Sequence, residues 1–310
     1  MTRPGSLPAV APAPLIPLID VHPYAAREAF AALVAHAVPG LERVQASTRT
    51  YERLVPAPGG PRLLRAVFGD ETVSVSLAVR PTTRAPRDDL QPDELDHVLR
   101  RVRQWLDLGT DLEAVAAHLG TDPELGALVS ANPTLRILGA FDGFEATVMT
   151  VLGQHVSLQA AQTFAARLVT RWGCADPDTG LHEFPTAAIL SEVDPAELQS
   201  VVGVTGTRAR TVVALSQECA EGLVVAPESD PAEVRRRLLA LPGIGPWTVD
   251  YVAMRALRDP DAFPHGDLVL RKALDLPTQR AVLTRSLAWS PWRAYAAIHL
   301  WHHAAYVKHL

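Results

Sequence analysis

Apolar and polar residues follow two different periods along this chain. From Thr72 the run Thr-Val-Ser-Val-Ser-Leu-Ala-Val alternates, as a half-buried strand does. Val44–Val55 and Arg62–Phe68 read as further strands, with Gly59-Gly60 and Gly69-Asp70 as hairpin turns. Pro23–Ala37 reads as an amphipathic helix ended by Pro39-Gly40. Successive hairpins make an antiparallel sheet, and the helix can cover one face. Residues 20–90 are therefore expected to form a small α+β domain. The Pro-rich stretch 1–19 is expected to be a disordered leader. The Pro- and charge-rich segment 80–92 is expected to carry the domain boundary.

Beyond it the period is helical. Leu95, Val98, Leu99, Val102 and Leu106 share one face across residues 92–107. Short helices are expected at 111–119 and 123–130. A long helical region at 142–172 is interrupted by Gly153, since glycine costs about 1 kcal/mol in a helix interior. Residues 174–185 read as a loop. Gly203 and Gly206 form a loose glycine turn before a helix ending at Glu221. Ser290-Pro291 opens a final helix. The expected class is mostly α, with residues 91–310 as a helical core behind a small antiparallel sheet.

One stretch stands out from this pattern. Leu241-Pro-Gly-Ile-Gly-Pro-Trp247 joins two helical runs, with a hairpin region spanning 232–257. Ser229-Asp230-Pro231 is suited to cap the first run, and Pro246 to open the second. Glycines in such a turn allow positive φ and close approach of backbone to a partner. Amide N–H groups that feed a helix N-terminus form an anion site suited to a phosphate. Gly243, Gly245 and Thr248 are the candidates for that role. Alone, a Gly-x-Gly turn is equally a packing corner between helices.

Composition narrows the picture. With 310 residues and 48% hydrophobic content, the chain can bury a sizeable core. No apolar run is long enough to span a membrane, and prolines interrupt the N-terminus where a signal peptide would need an unbroken apolar helix. A cytoplasmic protein is expected. The two cysteines, Cys174 and Cys219, are too few for a four-thiolate zinc or iron–sulfur site and read as idle thiols. His299 and His303 stand at i, i+4, but no HExxH glutamate accompanies them. The net charge of −5 argues against broad electrostatic binding of nucleic acid, so any such contact must be local.

Five segments together resemble the helix-hairpin-helix DNA glycosylase superfamily, within it the inducible bacterial 3-methyladenine (type II) branch. They are LGQHVSLQAA (152–161), FPTAAILSEVDPAEL (184–198), LPGIGPWTVDYVAMRAL (241–257), FPHGDLVLRKAL (263–274) and WSPWRAYAAIHLWH (289–302). The resemblance covers residues 20–308 and implies a core in two helical lobes. It implies hydrolysis of the N-glycosidic bond of alkylated purines such as 3-methyladenine and 7-methylguanine in double-stranded DNA, by a monomer that flips the base out of the helix. Asp267 matches the family's catalytic aspartate. A carboxylate suits the chemistry, because cleaving this bond builds positive charge on the sugar. An alkylated base is already cationic and leaves without an acid, so one carboxylate suffices where glycoside hydrolysis uses two. Trp247, Tyr251 and Trp301 match base-binding aromatics, and electron-rich rings attract a cationic base. Tryptophan at 247, where nicking relatives carry a lysine, implies no Schiff base and no strand cleavage.

The resemblance also implies an intercalating wedge at position 155. Here it is His155, where the closest pattern has leucine. A structural monovalent cation on the backbone carbonyls of Leu239, Leu241 and Ile244 is implied as well, with no other cofactor required. An aromatic expected from the first helix falls on Ala32, with Phe30 two residues earlier. The local alternatives remain open here: Asp267 as a plain helix cap, the aromatics as core, His155 as a surface residue. Other readings are a glycosylase for oxidised or mismatched bases, a non-catalytic DNA-binding hairpin, and a helical scaffold without a DNA role.

Overall fold

The computed structural model describes residues 14–78 and 92–306. The first unit is a five-stranded antiparallel sheet, ordered β1-β5-β4-β3-β2. Its strands are β1 (Leu15–Val21), β2 (Glu42–Gln45), β3 (Thr50–Val55), β4 (Arg62–Phe68) and β5 (Val73–Ala78). Helix α1 (Ala26–His36) packs on one face, where Phe30 meets Phe68 with ring centroids 5.6 Å apart.

Two expectations are corrected in this unit. Residues 15–19, read as part of a disordered leader, belong to edge strand β1, which pairs with β5 from Leu15↔Ala78 to Val21↔Val73. Proline misled the reading: at an edge, a missing N–H costs no ladder bond, and the register shifts between Pro17 and Ile19. The single strand expected over 44–55 is two strands. A 3-10 turn at Ala46–Thr48 and Arg49 in the left-handed region (φ 47°) reverse the chain between β2 and β3. The boundary expected over 80–92 lies outside the described residues apart from Pro92.

Helix α2 (Pro92–Trp105) opens the second half but packs with the first. Its Val98, Val102 and Trp105, with Leu106, Leu138 and Phe141, complete the sheet's core. Buried Arg62 on β4 donates to Glu94 on α2 at 2.7 Å and fixes the docking.

The helical body follows as α3 (Leu112–Leu119), α4 (Gly126–Ala131), α5 (Gly143–Gly153), α6 (Leu158–Trp172), α7 (Ala187–Ser191), α8 (Pro195–Leu198), α9 (Gly206–Ala220), α10 (Pro231–Ala240), α11 (Pro246–Arg255), α12 (Leu268–Ala273), α13 (Gln279–Ser286) and α14 (Arg293–Trp301). Its core runs continuously from Val38 to Leu300. Side-chain caps define most starts: Ser157 for α6, Thr205 for α9, Asp230 for α10. Gly153 ends α5, as its cost in a helix suggests. The stretch 174–185, read as loop, contains a two-residue ladder between Cys174–Ala175 and His182–Glu183, tied to the first unit by His182 N–H to Gly40 O at 2.7 Å.

Buried Asp107 joins the units. Its carboxylate takes bonds from the Tyr295 hydroxyl (2.6 Å), the Ile137 amide (3.1 Å) and the Thr110 hydroxyl (2.7 Å), and pairs with Arg258. Tyr295 lies on α14, so this hub ties the chain's middle to its last described α-helix.

Candidate active site

Helices α10 and α11 and the turn between them form the expected hairpin. Its two glycines serve different needs. Gly243 has φ 86°, and a Cβ there would overlap the Thr211 hydroxyl of α9, so packing within the protein demands the glycine. At Gly245 a Cβ would meet open space. Gly245 is also the N-cap of α11 and supplies no side-chain acceptor, unlike the caps of α6, α9, α10 and α12. Pro246 has no N–H. The amides of Trp247 and Thr248 are thus left at the helix's positive end without a capping side chain, an arrangement that suits an external phosphate.

Thr248 is placed differently from a surface phosphate ligand. It is only 2% exposed, and its hydroxyl accepts from Gln154 Nε2 at 2.8 Å. Only its backbone amide remains to face an anion. The Pro242 and Gly243 carbonyls are turned to Thr211 (2.8 Å) and Gln154 (3.1 Å). Leu241 O accepts from the Ile244 amide at 3.2 Å.

Asp267 begins α12 and is half-buried. Its Oδ1 accepts from the Val269 (2.8 Å) and Leu270 (3.0 Å) amides, so the cap reading is realised. The same carboxylate also receives two indoles: Trp301 Nε1–H on Oδ1 and Trp247 Nε1–H on Oδ2, both at 3.1 Å. Cap and site are not alternatives. One oxygen takes three donors, and the other takes one.

The three aromatics converge as expected. Trp247 stacks on Tyr251 with centroids 5.4 Å apart and planes 16° apart, and Tyr251 meets Trp301 at 5.9 Å and 54°. All three are half-buried. The Arg255 guanidinium lies 5.5 Å from the Tyr251 ring centre and donates to Leu138 O at 2.7 Å, anchoring this wall on the segment that follows α4. What sequence reasoning missed is that two of these rings are donors to the carboxylate. Neither spacing nor residue type signals it, because Trp247 and Trp301 lie 20 and 34 residues from Asp267.

His155 lies exposed in the turn between α5 and α6, in the left-handed region at φ 53°. Its neighbour Gln154 is bound to the hairpin through Gly243 and Thr248. The first helix contributes no ring of the expected kind: Phe30 is spent in the sheet core against Phe68, and Ala32 packs beside it.

Electrostatically the surface matches the acidic composition. Arg235, Arg237 and Arg285 are held by carboxylates. Among the described residues, Arg208 and Arg210 of α9, beside the hairpin, have no carboxylate partner; Arg210 reaches Thr207 at 3.3 Å. No cluster of three His, Cys, Asp or Glu suited to a metal occurs among the described residues. His299 is buried and held neutral, lowered to about 4 by burial and then by His302.

Two family profiles match in tandem: the AlkA N-terminal domain over residues 18–142 and the HhH-GPD superfamily base excision DNA repair protein over 148–276. The chain is 40% identical over 287 residues to the probable bifunctional transcriptional activator/DNA repair enzyme AlkA of Mycobacterium tuberculosis, covering 90% of this chain and 55% of that protein. It thus spans about half the length of that relative. It is 31% identical over 260 residues to DNA-3-methyladenine glycosylase 2 of Escherichia coli, covering 77% of this chain and 89% of that one. The 3-methyladenine DNA-glycosylase from Archaeoglobus fulgidus shares the fold, with a TM-score of 0.78 at 20% identity over 96% and 99% of the two chains.

Proposed function

The chain belongs to the AlkA branch of the helix-hairpin-helix base-excision glycosylases, and on that footing we propose that it is a monofunctional hydrolase releasing alkylated purines from duplex DNA. The observation that carries this reading is the Asp267 carboxylate, held by two indole N–H groups of the Trp247–Tyr251–Trp301 cluster.

Each part has a task. The α11 amides and the Gly245 turn hold a backbone phosphate, which offsets the chain's acidic balance locally. His155 fills the space left when the damaged nucleotide leaves the stack. The aromatic cluster receives the extruded base, and its positive charge favours contact with electron-rich faces. The N-glycosidic bond then breaks, and its electron pair leaves with the cationic base, which becomes neutral. Positive charge builds on the sugar, where the fixed carboxylate stabilises it in a site that needs no reorganisation. Water adds at the anomeric carbon and loses a proton to Asp267 or to solvent, leaving an abasic site. The indole donors keep the carboxylate oriented.

No lysine stands at the Trp247 position, so no imine forms and the backbone stays intact. The site draws all these groups from one chain, and a monomer acting in the cytoplasm is the corresponding proposal. The carbonyls of Leu239, Leu241 and Ile244 are neutral oxygens suited to a hard monovalent cation. Bound there, it would hold the turn rigid without a chemical role.

The test is base release from a methylated duplex, analysed with and without alkali. Free 3-methyladenine or 7-methylguanine is expected, with strand breaks only after alkali. Breaks without alkali, or a covalent adduct trapped by borohydride, would refute the monofunctional assignment. Release of oxidised but not alkylated bases would favour the other glycosylase reading.

A further inference from the structure

Three separate pieces of the helical body meet behind the His155 turn, and hydrogen bonds close them into a triangle. On one side, Arg208 of α9 donates to the Gln154 carbonyl. On the second, Gln154 Nε2 donates to Gly243 O at 3.1 Å and to Thr248 Oγ1 at 2.8 Å, so both carboxamide hydrogens go to the hairpin. On the third, the Thr211 hydroxyl of α9 contacts Pro242 O at 2.8 Å. Arg208 and Thr211 are i, i+3 and share one face of α9. Gln154 takes part in two of the three sides.

His155 follows directly, with its backbone in the left-handed region at φ 53°. A non-glycine residue there costs roughly 1–2 kcal/mol and persists only where its surroundings hold it. Gln154 supplies that hold immediately before the strained residue, through both its backbone and its side chain. The same carboxamide binds the residue whose amide lies at the candidate phosphate site, Thr248.

Resting on the glycosylase reading above, we infer that Gln154 is a positioning residue that couples the hairpin's grip on the DNA backbone to the His155 wedge, so that phosphate binding presents the imidazole at a fixed depth. Gln154 does not touch the base or the reacting sugar. It acts by making the wedge turn and the phosphate turn one rigid body. A loose wedge would enter the helix only after being ordered, at an entropic cost that falls on base extrusion alone.

The test compares two lesions of the same chemistry. In one duplex the alkylated purine is normally paired and stacked; in the other it lies in a single-base bulge, where little extrusion remains to be done. Single-turnover release is measured for wild type, Gln154→Leu, His155→Ala and the double variant. Gln154→Leu should lose at least tenfold more rate on the paired lesion than on the bulged one. The double variant should be no slower than the slower single one, because both changes remove the same wedge. Thr211→Val, which opens the third side and leaves Gln154 in place, should show the same preference more weakly. An equal loss on both substrates, with a fall in melting temperature, would overturn the inference in favour of a merely structural glutamine. Additive losses in the double variant would overturn it too. Should wild type release no base from either duplex, the glycosylase reading itself would fail.

Discussion

Replacing Asp267 with asparagine separates its capping role from its proposed catalytic one, and the geometry sets the expected size of each effect. Oδ1 accepts three donors, from Val269, Leu270 and Trp301, while Oδ2 accepts only Trp247. Asparagine will keep its oxygen at the three-donor position, and it is as good an N-cap as aspartate. Helix α12 therefore keeps its cap. The amide nitrogen then faces the Trp247 indole N–H, donor against donor, which costs on the order of 1–3 kcal/mol. Loss of the charge removes stabilisation of the oxocarbenium-like state, on the order of 3–4 kcal/mol by analogy with single oxyanion-hole donors, or ~10²–10³ in rate. Asp267→Asn should thus fold with a lowered melting temperature and release methylated purines some hundredfold more slowly. Adding Trp247→Phe removes the opposed donor, so stability should recover while the rate stays low. Thermal unfolding and single-turnover base release on the three variants test this. An Asp267→Asn rate within tenfold of wild type, or recovery of rate together with stability in the double variant, would refute the catalytic role.

Three further outcomes are expected. Gly243→Ala combines a positive φ with overlap on Thr211 and should destabilise by about 3 kcal/mol in urea unfolding, whereas Gly245→Ala, facing open space, should destabilise far less. Asp107→Asn leaves Arg258 without its charge partner and weakens the hold on Tyr295; about 3–5 kcal/mol should be lost, and a loss under 1 kcal/mol would show that the hub is dispensable. His299 is lowered to about 4 by burial first and His302 second, so the unfolded chain binds its proton more readily than the folded one. Stability from this group is complete above about pH 6.5 and is lost as pH falls towards 4, by up to ~1.4 kcal/mol per pH unit; a His299→Leu variant should show a flatter profile in acid unfolding across that window.

What could be read in advance was what local chemistry dictates. The Gly-Ile-Gly turn, Pro246 at the start of α11 and Asp230 capping α10 each follow from neighbours in sequence. The i, i+4 pairing of Trp247 and Tyr251 is likewise local, and their stack appears as expected. Asp267 stood out through its match to the family's catalytic aspartate. The readings that failed depended on distant partners. Pro17 suggests disorder until β5 is known to lie on only one side of its strand. The amphipathic face of α2 looks like the start of a helical body, yet Val98 and Val102 close the sheet's core. That the Thr248 hydroxyl is taken by Gln154, far earlier in the chain, was likewise not legible. The resemblance puts Asp267 and the two tryptophans in one site, but the indole bonds that unite these three segments have no local signal in the sequence.

Helix α14 closes two assemblies at once, through Tyr295 on the Asp107 hub and Trp301 on the carboxylate. A nascent chain emerging from the ribosome presents the hairpin and Asp267 before this helix exists. In such a partial product Asp267 has its helix cap and the Trp247 indole but not the Trp301 donor. The assembly therefore waits for α14, and the step that locks the two halves together also seats the second indole on Asp267.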